Sequence, residues 1–106
     1  MREMENRMIW RHGDVLIAAS EGIPAGAQRR HGVAVAYGEI TGHSHRFQEA
    51  NAVELWEHNG ILFVNVLAAT ATIVHEEHRP ITLAQGVYRV WMQREYTPQA
   101  IRRVVD

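Results

Sequence analysis

The chain contains neither cysteine nor lysine. Without thiols there is no disulfide framework, no thiolate metal ligand and no cysteine nucleophile. All 11 basic residues are arginine. Arginine grips carboxylate or phosphate through paired bonds, but an arginine-only set also follows from a GC-rich coding bias. No apolar run approaches the length of a membrane span, and residues 1–7 are charged and lack a signal peptide's apolar core. A net charge of −1 argues against a strong non-specific hold on nucleic acid. These absences point to a cytoplasmic protein with no strong nucleic-acid signal and no membrane partner.

What is present fits one β-rich domain over residues 1–106, long enough to bury a core without disulfides. The 46% hydrophobic and 22% charged content excludes disorder. Ile9 to His12 passes through Gly13-Asp14 into the apolar run Val15 to Ala19, a buried strand. Residues 20–26 read as a loop by their Gly and Pro, continued by the arginine-rich surface segment 28–32. Val33 to Tyr37 is the next strand, and residues 48–51 form a turn.

Residues 52–57 and 61–67 flank His58-Asn59-Gly60, and Asn-Gly is a strong hairpin signal because both residues tolerate positive φ. Residues 68–75 form another strand, with Ala71, Ile73 and His75 on its more apolar face. Residues 76–80 turn the chain, 81–83 are a short extended piece, and Gln85-Gly86 is a second turn. In the last strand, Val87 to Tyr96, Tyr88, Val90 and Met92 oppose Arg89, Trp91 and Gln93. Thr97-Pro98 then starts a short helix, Gln99 to Val105. About seven closely spaced strands predict an all-β fold, a small antiparallel barrel or sandwich with a C-terminal helix.

Histidine carries the chemistry. In Gly42-His43-Ser44-His45-Arg46 the two imidazoles share one face of an extended strand, and Glu39 and Thr41 share it too unless Gly42 bulges. About thirty residues on comes His75-Glu76-Glu77-His78. Taken together, His43, His45, His75 and His78 are candidate ligands for a divalent transition metal such as Zn, Fe, Mn or Ni. Glu39, Glu49, Glu76 and Glu77 are near enough in sequence to complete the shell, with Glu76 the candidate general base.

Each cluster also has a plain structural reading, a hydrogen-bonded pair and a solvated turn. The spacing of His75 and His78 differs from HExxH by one residue. The remaining histidines, His12, His31 and His58, fall at a turn, in a loop and at a hairpin tip, which predicts surface positions. Arg46 and the Gln93-to-Tyr96 stretch read either as an anion clamp or as an ordinary ion-pair network. Trp10, Trp56 and Trp91 suit a core or interface better than a base-stacking platform.

Residues 38–46, 75–81 and 88–96, with Gly13 to Leu16, resemble a small uncharacterised bacterial family over nearly the whole chain. Gly38, His43, His45 and Glu49 are similar in order to the first cupin motif. The spacing departs at the glycines, and no histidine follows Gly86 where the second cupin motif needs one. That likeness implies a small metal-binding β-barrel rather than a particular enzyme.

Two functions follow. One is a metalloenzyme with an open coordination position, acting on a small molecule or a (phospho)ester bond. The other is a non-enzymatic, homo-oligomeric or partner-binding module with structural, interfacial or pH-responsive histidines and Trp56, Arg29 and Arg30 as contacts.

Overall fold

The computed structural model describes residues 9–37, 43–92 and 104–105. Among these residues nine strands make one curled, half-barrel sheet: β1 (Ile9–His12), β2 (Val15–Ala19), β3 (Gln28–Arg30), β4 (Ala34–Tyr37), β5 (Ser44–Phe47), β6 (Val53–His58), β7 (Ile61–His75), β8 (His78–Met92) and β9 (Val104–Val105). The spatial order is β3-β6-β7-β8-β2-β1-β9, with β5 bridging β4 and the far half of β7. All pairings are antiparallel except β1 with β9. No α-helix occurs among the described residues, and no helix is long and apolar enough to cross a membrane.

The strand alternation read from the sequence places the core. Leu62, Val64 and Val66 of β7 meet Val53 and Leu55 of β6, Val15 and Ile17 of β2, and Tyr88 and Val90 of β8 in one buried cluster. Asn59 (φ 52°) and Gly60 (φ 80°) form the expected hairpin turn between β6 and β7.

Several expectations are corrected. Residues 28–30 are a strand rather than loop, because they pair with Leu55–Glu57 at the edge of the sheet. There Arg29 lies 5.7 Å from the centre of the Trp56 ring and 3.8 Å from Glu54, so these side chains are engaged with one another. Residues 61–67 and 68–75 are one strand, and Gln85-Gly86 is not a turn but the middle of β8. The register instead slips between Val66 and Thr70, where the Gln85 side-chain amide donates to the Leu67 carbonyl at 2.7 Å. Gly86 faces this irregularity with φ 148°, a conformation open to glycine. The segment proposed as a helix ends in strand instead: Val104–Val105 pair with Ile9 and Trp10. Residues 99–103 lie outside the described residues, as do Glu39, Gly42 and residues 93–96.

The irregularity has a large consequence. Val15 pairs with Met92 at one end of β8, while His78 begins the other end. A straight strand of this length would separate those ends by roughly 45 Å. Yet a side chain built on Gly13 would touch His78. The β7–β8 hairpin therefore curls back on itself, as bulged strands do, and closes its tip onto the β1–β2 turn.

Candidate metal centre

Three inward-facing rows of side chains end in histidine at this closure. On β5, His45 precedes the buried Phe47 by two positions; on β7, His75 follows the buried Ile73; on β1, His12 follows Trp10, which packs on the core. The period of two carries each imidazole to the same side as its apolar neighbour. His78 needs a further device. Ile73 pairs with Ile81, but His75 pairs with His78, so β8 has one extra residue in the Arg79-Pro80 segment. A one-residue bulge reverses the facing of everything beyond it. It turns the exposed His78 to the same side as His75, with ring centres 4.7 Å apart.

The sequence-predicted ligands are thus brought together. Donor atoms of His45, His75 and His78 lie within 4.8 Å of one another, a spacing that suits one shared ion. His43, His75 and Glu76 make a second such group that shares His75. His43 stands at the rim, 5.7 Å from the His75 ring and 3.6 Å from a Glu77 carboxylate oxygen. Glu49 belongs to neither group, because its carboxylate accepts the Thr72 backbone N–H at 2.8 Å.

His12 overturns the expectation of a surface residue. It is 1% exposed, and its Nδ1 lies 2.9 Å from Nδ1 of His45, itself 5% exposed. Its ring also lies 5.8 Å from that of His78 and 6.3 Å from that of His75. Its Nε2 has no hydrogen-bond partner among the described residues, although the Arg79 backbone carbonyl lies beside the ring. Strand parity with Trp10 was the available signal. Only closure of the hairpin tip shows that this face is covered. Of the other two, His31 is exposed and His58 is half-buried.

Gly13 makes this crowding possible. It has φ +65°, and a Cβ there would stand 2.6 Å from Nε2 of His78 and 3.0 Å from Cε1 of His45. The turn backbone thus forms one wall of the cluster. A cleft of about 470 Å³ opens beside it, lined by Arg11, His12, Gly13, His78 and Arg79.

Electrostatics keep the inner rings neutral. Burial first, then repulsion from neighbouring imidazoles, lowers His12 and His45 from 6.5 to about 4, and the same causes lower His75. Neutral imidazole is the form that ligates metals. Glu76 lies outside this neutral set. Arg46 reaches it at 3.0 Å and Ser44 donates its N–H at 3.2 Å, latching the hairpin tip to β5. Its own backbone N–H is the largest influence and, with Arg46 and Ser44, holds its carboxyl down at about 2. Arg46 thus makes an ion pair within the protein and also donates to the Ser44 carbonyl at 2.8 Å.

His75 carries one constraint. Its Nδ1 accepts the Glu77 N–H at 3.0 Å, which in the neutral ring leaves the proton on Nε2. Coordination through either nitrogen must therefore displace that backbone bond or that proton.

A family model described as a domain of unknown function (DUF8820) matches residues 11–93. The chain belongs to this family. The DUF8820 match spans all five clustered histidines together with the Gly13 turn and the Arg79-Pro80 bulge. No curated protein matched this DUF8820 chain, and no solved structure did.

Proposed function

We propose that this protein binds one divalent transition ion through His45, His75 and His78, leaving a coordination position open. The observation that carries the reading is the convergence of three imidazoles, from β5, β7 and β8, with donor atoms within 4.8 Å of one another. Three protein ligands with an open position form a catalytic arrangement, whereas a fourth would close it into a structural one. The set contains only imidazole nitrogen, which suits Zn, Fe or Ni; a carboxylate from the overlapping group would extend it toward Mn.

An ion held there lowers the pKa of a bound water and supplies a nucleophile at neutral pH, which suits hydrolysis of a small ester or phosphoester. A proton acceptor beside it comes from the Glu76-Glu77 turn. The contacts that stabilise ionised Glu76 also make it a weak base, so its part is to latch the hairpin tip to β5. The acceptor in this reading is Glu77, whose carboxylate faces His43 at 3.6 Å.

Elemental analysis of the untagged protein, beside a His45→Ala/His75→Ala variant, tests the site. About one ion per chain in the parent and none in the variant is the expected result. A parent that takes up no ion after reconstitution with Zn, Fe, Mn and Ni in turn would overturn the reading.

A further inference from the structure

We propose that His12 is a positioning residue that fixes the ring proton of His45 on Nδ1 and so presents the His45 Nε2 lone pair to the ion. The inference rests on the metal reading above and adds to it the part played by a fifth histidine.

The argument is one of proton counting. The two Nδ1 atoms are 2.9 Å apart, and a hydrogen bond at that distance holds one proton between them. A neutral imidazole has one N–H and one lone pair. If His45 donates, its Nε2 is a lone pair, while His12 accepts on Nδ1 and carries its own proton on Nε2. If His12 donates, the roles reverse, and His45 presents an N–H where a ligand is needed. While this bond stands, only one of the two rings can coordinate through Nε2.

Geometry chooses between them. His45 belongs to the group whose donor atoms lie within 4.8 Å; His12 does not. The Nε2 of His12 makes no hydrogen bond among the described residues, and the Arg79 backbone carbonyl lies beside the same ring. That carbonyl sits at the bulge that turns His78 to the side of His75. One backbone irregularity thus supplies a ligand and stands beside the ring that orients another. The His12–His45 contact matches the usual way a ligating imidazole is held by an outer partner, whose loss costs 10–100-fold in metal affinity.

The test combines ring-nitrogen NMR with zinc titration. Long-range 1H–15N spectra of the parent, metal-free and zinc-loaded, are expected to show His45 protonated on Nδ1 and His12 on Nε2. The reverse assignment would overturn the proposal and make His12 the ligand. His12→Phe keeps the bulk and removes the acceptor, so zinc affinity should fall 10–100-fold. His12→Asn, whose amide oxygen can accept the same proton, should recover most of it. Unchanged affinity in His12→Phe would also overturn the proposal. A parent that binds no zinc would be seen before any variant is made, and would remove the metal reading itself. The metal-free spectrum needs neither a folded variant nor a bound ion.

Discussion

His75 and His78 face each other across the last pair of the β7–β8 hairpin because β8 carries one residue more than β7 beyond Ile73 and Ile81. The bulge, rather than the spacing of the two histidines, puts both rings on one side. Removing Arg79 leaves His78 opposite His75 in regular pairing, with both rings still on one side. The deletion is expected to keep zinc affinity within about tenfold of the parent (about 1.4 kcal/mol) while circular dichroism retains the β-sheet signature. A hundredfold loss would show that the bulge shapes the site beyond setting the facing of His78.

Acid should destabilise the metal-free protein. His12 and His45 have folded-state pKa values near 4, below the unfolded value of 6.5. Between those limits the unfolded chain binds more protons than the folded one, so stability falls as the pH drops from about 6.5 to about 4 and levels off below. Each shift corresponds to about 3 kcal/mol at most. Because each ring contributes to lowering the other, the joint loss is smaller than the sum. Urea unfolding at a series of pH values should show the slope, and a His12→Gln/His45→Gln variant should flatten it.

Gly13 has no room for a side chain. Gly13→Ala combines a positive φ with contacts under 3.0 Å to His78. The backbone cost alone is about 1 kcal/mol or more. Displacement of the His78 ring should also lower zinc affinity by an order of magnitude or more. Thermal melting with and without zinc separates the two: the variant should gain less from the ion than the parent does.

The two turn carboxylates should separate in function. With the zinc-loaded protein and an activated phosphate or carboxylate ester as probe, Glu77→Gln should lower turnover by roughly 10²- to 10⁴-fold with metal content unchanged. Glu76→Gln should retain most turnover but loosen the hairpin tip, read as faster amide exchange at Ser44, whose N–H it holds. The opposite pattern would return the base to Glu76.

Much of the site was legible beforehand because it lies on regular strand. His45 before Phe47 and His75 after Ile73 follow the alternation that hides apolar side chains, so the face of each ring could be counted along the chain. The sequence offers His78 as a candidate ligand, but its facing depends on a bulge that no local pattern marks. His12 was placed at the surface because Gly13-Asp14 is a turn, and turns are usually exposed. Here another hairpin folds over it.

The sequence by itself determined an all-β chain, the Asn59-Gly60 turn, the inner rows of the core and two histidine pairs that converge. These follow from side-chain period and turn chemistry, which act between near neighbours. Only the tertiary structure decided that Gln28–Arg30 and Val104–Val105 are strands, that β7 and β8 run unbroken through Gly86, and that His12 is buried against His45. Edge strands are fixed by the backbone groups of a partner far along the chain. A buried histidine is fixed by whatever covers it, and His45 lies 33 residues away.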